Sequence, residues 1–185
     1  DCINEKIADM IASFNRDNFE LWVELGVQSA SDKSLLFLNR HHNAKSSTDA
    51  MKLLKERNIK GCAHLIVGIP GESWEDNMRS AEFINEIQAD GVKFHQLHVI
   101  KNTPLEKIYN EKKLKLISFK EYASTVCDML ERISPKVLVH RLSADRDRES
   151  LVAPNWGLHK GSIQKEIEDE LERRETRQGF FERGI

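Results

Sequence analysis

Cys62-Ala63-His64-Leu65-Ile66-Val67-Gly68-Ile69-Pro70-Gly71-Glu72-Ser73-Trp74-Glu75-Asp76 is the stretch that decides the fold. Cys62–Ile69 is a mostly apolar run of strand length, closed by the Pro70-Gly71 turn. Ser73 followed three residues later by Asp76 reads as a capping box with Asp in place of Glu. The helix it opens carries Trp74, Met78, Ala81, Ile84 and Ile87 on one face. A buried strand that runs straight into an amphipathic helix is half of a βαβ unit.

The same rhythm extends in both directions. Upstream, residues 4–14 repeat Ile7, Met10, Ile11 and Phe14 at helical spacing, and Leu21–Val27 is a short apolar strand. Ser31 caps a helix through Leu38. Ser46 with Asp49 starts another helix that turns Ala50, Leu53 and Leu54 inward and ends at Asn58 and Gly61. Downstream, Gly91 ends the Trp74 helix and Val92–Ile100 is a third strand. Residues 101–117 are a loop with a short helical insert. Ser118 and Glu121 form a second capping box, with Tyr122, Val126, Met129 and Ile133 on the buried face. Val137–Leu142 is a fourth strand, residues 143–159 are irregular, and a charged helix runs from about Ser162 to Arg174. The tail from Gly179 to Ile185 is expected to fray. Strands starting near 20, 61, 92 and 137, each gap holding a helix, predict parallel α/β with right-handed crossovers. An open sheet and a barrel both satisfy that pattern. The one plausible subdomain boundary is near residue 143, dividing 1–142 from 143–185.

Composition narrows the function. The chain has 185 residues, 31% of them charged, with a net charge of −2, so no global basic field marks a dedicated nucleic-acid binder. The local exception is 101–120, with six lysines against Glu106 and Glu111. A solvated face and a polyanion contact explain it equally. The longest apolar runs, such as Leu65–Pro70, are too short to span a bilayer, and no secretory pattern is visible, so a cytoplasmic, membrane-free protein is expected. Cys2, Cys62 and Cys127 are too few and too far apart for a disulfide framework or a zinc site, and read as small buried hydrophobes.

Chemistry in such folds collects at the carboxyl ends of the strands. Gly68 and Gly71 clear space where a ligand could approach the backbone, and the Ser73 helix aims free N–H groups at it. A plain strand-to-helix turn explains the same residues. Glu24 is a carboxylate in an apolar strand, costly unless paired or used. Alternation puts Trp22, Glu24 and Gly26 on one face, with Gln28 joining them at the strand end. A carboxylate and an amide together suit an amino group and ribose hydroxyls; a buried Glu tied to a structural Lys or Arg is the plainer reading. Lys93 and His95 share a face of the third strand and are the candidate catalytic groups of the cavity that Glu24 lines. His41-His42 is a weak metal pair. Arg141, Asp145, Arg146, Trp156, His159 and Lys160 form a polar carboxy-terminal group that either meets an anionic substrate or seals the barrel bottom.

The ordered set of motifs resembles a family. Gly26-Val27-Gln28-Ser29, followed by Leu65-Ile66-Val67-Gly68-Ile69-Pro70-Gly71-Glu72, looks like the fourth and fifth strand motifs of radical S-adenosylmethionine (SAM) enzymes. Trp22-Val23-Glu24, Asn39-Arg40-His41-His42, Val92-Lys93-Phe94-His95, Thr103-Pro104-Leu105, Val139-His140-Arg141-Leu142 and Ala153–Lys160 bring it closest to YhcC-type proteins. These are related to the Elongator catalytic subunit and to oxygen-independent coproporphyrinogen oxidase. The resemblance implies strands four to six of a partial (βα)6 TIM-like barrel plus a carboxy-terminal α/β extension. It also implies a [4Fe–4S] cluster held by a C-x3-C-x2-C loop, and SAM cleaved to a 5′-deoxyadenosyl radical. Carried over, SAM contacts fall on Glu24, Gln28, Ser29, His64, Ile66, Gly68, Pro70 and Gly71. His64 stands where some relatives carry an acidic ribose-binding residue. The three cysteines cannot form the cluster motif, so its ligands are expected upstream of residue 1. The chain alone is expected to bind no cofactor, to be inactive, and to expose edges that the missing amino-terminal half covers. The Elongator relationship makes an RNA substrate compatible. A non-radical barrel enzyme using Lys93 or Glu24, and a non-catalytic nucleotide- or partner-binding module, are the alternatives.

Overall fold

The computed structural model describes residues 3–14, 19–144, 147, 149–158 and 160–181. Asn4 caps α1 (Glu5–Ala12) with its side chain on the Ile7 amide. β1 (Trp22–Gln28) leads to α2 (Asp32–Phe37) and α3 (Ala44–Lys55). β2 (Lys60–Val67) feeds α4 (Trp74–Glu86), whose Ser73–Asp76 capping box is formed in both directions. β3 (Gly91–Gln96), β4 (Val99–Ile100), α5 (Pro104–Asn110) and α6 (Phe119–Leu130) follow. The described chain closes with β5 (Leu138–Arg141), β6 (Leu151–Ala153) and α7 (Lys160–Arg173).

β1, β2, β3 and β5 form one parallel sheet in that order, and β4 pairs antiparallel with β6. The chain is therefore α/β with a mostly parallel sheet. Ala63, Leu65, Val67, Val92 and Phe94 point to one face and pack on Met51 of α3, Met78, Ala81 and Ile84 of α4, and Tyr122, Val126 and Met129 of α6. Alternation sends Trp22, Glu24, Cys62, His64, Ile66, Gly91, Lys93 and His95 to the other face, called the inner face here. α7 packs on α6, where Arg174 binds Asp128 at 2.6 Å, Glu170 at 2.8 Å and Glu131 at 3.3 Å.

Four expectations are corrected by local physics. Asn43, not Ser46, caps α3, because its side chain accepts from the Ser46 amide at 3.0 Å. The third strand stops at Gln96, whose carboxamide both donates to the Ala144 carbonyl and accepts from the Ala144 amide. Residues 99–100 then become a separate strand. The supposedly irregular 143–159 contains β6, which is the partner β4 needs. Residues 179–181 are pinned rather than frayed: the Gly179 amide donates to the Leu130 carbonyl at 3.0 Å and the Phe181 amide to the Glu131 carbonyl at 2.7 Å. The expectations for Cys2, Asp145, Arg146, His159 and 182–185 lie outside the described residues, as does the Lys160 side chain.

Candidate functional site

The inner face is built in levels. At the amino ends of the strands, Trp22 reaches across Gly91 and meets His140 edge-on, with ring centroids 4.5 Å apart. A Cβ on Gly91 would lie 2.6 Å from His140 and 3.0 Å from Trp22, so the glycine is required to let the two rings meet. One level up, the Glu24 carboxylate is ion-paired with Lys93 and lies 2.8 Å from His64 Nε2. The His64 contact is close but lacks the alignment of a hydrogen bond. Glu24 is half exposed while Lys93 is largely covered.

Electrostatics follow this geometry. The hydrogen bond from Lys93 lowers the Glu24 pKa, against a smaller opposing effect of burial. Burial lowers the His64 pKa, only partly offset by Glu24. His64 thus prefers the neutral form, and Glu24 carries the negative charge of this level. His95 stacks edge-on against His98 at 4.6 Å on the next level.

At the carboxyl end of β1 the register with β2 shifts, and Gln28 adopts φ 66°. The shift folds its carboxamide back over Gly26. A Cβ at Gly26 would lie 2.7 Å from Gln28 Nε2 and 3.0 Å from Arg40 Nη2. Two sets of N–H donors therefore converge above a glycine at the mouth of the inner face. Arg40 also donates to the Gly26 carbonyl at 3.2 Å. Sequence reasoning named Arg40 only as part of a motif. Its position 14 residues downstream gave no sign that α2 and the following turn return it to β1.

The other expected contacts separate. Ser29 is buried and donates to Glu72 at 2.6 Å, and its hydroxyl also accepts from the Ser31 amide at 3.0 Å. Ser80 accepts from the Ala30 amide at 3.0 Å. Ser29 thus ties the end of β1 to the turn after β2, with its hydroxyl already committed. Burial raises the Glu72 pKa. Gly68, Pro70 and Gly71 line a cleft of about 340 Å³ with Lys115, Ile117 and Thr125. A second cavity, of about 230 Å³, runs along the unpaired side of β1 and includes Ile3, Glu24, Gly26 and Arg40. Trp156 packs on Phe119 and Tyr122 at 5.7 and 5.2 Å and belongs to an aromatic cluster, not to a polar group.

The chemistry of the residues present fits SAM. An exposed carboxylate suits an ammonium, convergent amide donors suit hydroxyl oxygens, and Ile66 supplies apolar surface beside them. The cluster does not fit the described residues. Cys62 and Cys127 are both buried, and burial pushes their thiols up to about 11 and about 12. Among the described residues no three side chains of His, Cys, Asp or Glu gather as a metal site. No described helix is long and apolar enough to cross a membrane.

Comparisons with known proteins place the chain in a family and a fold. Residues 3–84 match the model of the Radical SAM superfamily and residues 89–173 match the Radical_SAM C-terminal domain. The chain is 38% identical over 184 residues to an uncharacterised protein of Methanocaldococcus jannaschii, covering 98% of this chain and 57% of that protein. It is 35% identical over 184 residues to YtqA of Bacillus subtilis, with 99% and 57% covered. Against YhcC of Escherichia coli it is 35% identical over 156 residues, with 84% and 50% covered. The chain thus spans about half the length of these relatives. Among solved structures, the Elp3 of Methanocaldococcus infernus shares the fold, with a TM-score of 0.81 at 24% identity over 96% of this chain and 40% of that one.

Proposed function

We infer that this chain, which belongs to the radical SAM superfamily, forms the SAM-holding wall of a radical SAM enzyme. The observation that carries the reading is the open inner face, where Glu24 is fixed by Lys93 and where Gln28 and Arg40 converge over Gly26. SAM, together with a [4Fe–4S] cluster held by polypeptide outside these residues, would supply the radical chemistry. The chain's own groups bind and orient. Glu24 receives the ammonium of SAM, with Lys93 keeping the carboxylate ionised and His64 at its flank. Gln28 donates to ribose oxygens, Ile66 lies against the adenine, and the backbone from Gly68 to Gly71 shapes the far side. Trp22 and His140 meet edge-on at the amino ends of the strands, beneath this site.

On this reading the cluster cysteines and the remaining strands of a partial barrel come from polypeptide outside residues 1–185, and the isolated chain is inactive. Residues 1–142 form the barrel wall and 143–185 the extension that α7 clamps to α6. An RNA substrate is part of the proposal. The lysines of 101–120 support it, as do relatives named tRNA uridine(34) acetyltransferase, 32% identical over 127 residues in the case from Methanocaldococcus infernus. The proposed protein works in a reducing cytoplasm.

SAM binding to the reconstituted full-length polypeptide tests the assignment. Glu24→Gln and Gln28→Ala are expected to weaken SAM binding about tenfold or more while circular dichroism is unchanged, since each removes a hydrogen bond to the ligand and the first is charge-assisted. Unchanged affinity in both variants would remove β1 from the SAM site.

A further inference from the structure

The inner face is one negative charge short. Lys93 and Arg141 are register partners on β3 and β5. The shift between Val92 and Lys93 makes His140 an extra residue, so that Arg141 joins Lys93 on the inner face instead of pointing into the core. Glu24 answers Lys93. Among the described residues no carboxylate is ion-paired with Arg141, and its Nε–H is buried with no hydrogen-bond partner. Arg141 lies close enough for its charge to bear on both His64 and Cys62, the neighbours of the Glu24–Lys93 pair. Arg141 is only partly buried as a residue, but its idle, buried Nε–H is costly unless an acceptor meets it, and the planar fork matches carboxylate or phosphate oxygens.

We propose that Arg141, with Lys93 beside it, is the subsite that receives an anionic substituent of the substrate, a carboxylate or a phosphate, across the inner face from Glu24. This rests on the reading of the inner face as the surface that faces substrate. Approach is from the carboxyl ends of the strands, where Gln28 and Arg40 converge over Gly26. The two cations then divide their work: Lys93 holds Glu24 ionised, and Arg141 orients the substrate through two parallel hydrogen bonds.

The test follows the Arg141 Nε–Hε resonance of the full-length polypeptide, assigned by its loss in Arg141→Lys. Inorganic phosphate and acetate are titrated separately at constant ionic strength, and their affinities are measured in parallel by calorimetry. A saturable shift is expected with at least one of them. Phosphate alone identifies a phosphate-bearing substrate, acetate alone a carboxylate. Arg141→Gln is expected to weaken the binding about tenfold or more. Arg141→Lys, which keeps the charge and loses the fork, gives an intermediate loss and serves if the glutamine variant does not fold. Lys45→Gln, exposed on α3, is expected to leave it unchanged. The proposal is overturned if the resonance ignores both anions, if SAM alone moves it, or if Lys45→Gln weakens binding as much as Arg141→Gln. Failure here leaves 5′-deoxyadenosine formation intact, whereas failure of the radical SAM reading abolishes that product.

Discussion

Gly68→Ala separates a glycine required by the fold from one required by a ligand. Gly68 has φ +91°, and a Cβ there would lie 2.7 Å from Ile117 Cγ2 and 3.2 Å from Ile117 Cβ. The backbone conformation alone costs an alanine about 1–2 kcal/mol. The overlap with Ile117 adds about 1–3 kcal/mol, less whatever the side chain recovers by shifting. The expected loss is therefore about 2–4 kcal/mol, a fall of about 1–2 M in the urea midpoint for a small domain. Ile117→Ala alone is expected to cost about 1–2 kcal/mol, because the side chain is only partly buried. In the double variant the 2.7 Å overlap with Cγ2 is gone and only the 3.2 Å approach to the residue-117 Cβ remains, so the combined loss should fall short of the sum of the two single losses by about 1–2 kcal/mol. Urea unfolding followed at 222 nm measures all three. A Gly68→Ala loss within about 0.5 kcal/mol of zero, or strict additivity with Ile117→Ala, would refute the packing argument. Ligand approach would then become the reason for the glycine.

Ser29→Ala is expected to destabilise by about 1–2 kcal/mol in the same assay, because Glu72 loses a buried donor, while SAM affinity stays within twofold or so of wild type. A large loss of SAM affinity without a loss of stability would instead make Ser29 a ligand contact. Arg174→Gln leaves Glu131 covered without its cation, and a loss of about 2–4 kcal/mol with early proteolysis of α7 is expected; an unchanged melting profile would show that α7 docks by its apolar contacts alone. The inner face gives the pH profile of stability two acid-side components. The lowered Glu24 pKa contributes stability that is present above the ordinary carboxylate pKa and is lost as pH falls through the folded value. The lowered His64 pKa makes the unfolded state bind the proton first, so stability also declines as pH falls below the ordinary histidine pKa. His64→Gln should flatten the slope just below that pKa and Glu24→Gln the slope in the carboxylate range; unaltered slopes would mean that neither group senses folding.

The sheet was legible because buried parallel strands are short apolar runs bounded by turn residues and separated by amphipathic helices. Leu21–Val27, Cys62–Ile69 and Val137–Leu142 overlap β1, β2 and β5 closely. What escaped was decided by side chains bonding to distant backbone. Nothing local to Gln96 announces that its amide will hold Ala144, yet that pair ends β3 and frees 99–100 to meet β6. Alternation put Glu24 and Lys93 on one face, with an unnamed Lys or Arg as the plainer partner for Glu24; that Lys93 reaches it across β2 was not legible from alternation. The place of Arg141 was not legible either, because the extra residue at His140 breaks the alternation that would have sent it inward to the core. Nor was the commitment of the Ser29 hydroxyl to Glu72, 43 residues away, legible in the sequence.

The most direct measurement is made on the full-length polypeptide, reconstituted anaerobically with iron and sulfide, reduced with dithionite and given SAM. The account predicts 5′-deoxyadenosine from that protein, its formation reduced in Glu24→Gln, and none from residues 1–185 alone. A full-length protein that binds no cluster and forms no 5′-deoxyadenosine, or an isolated chain that forms it, would contradict the account.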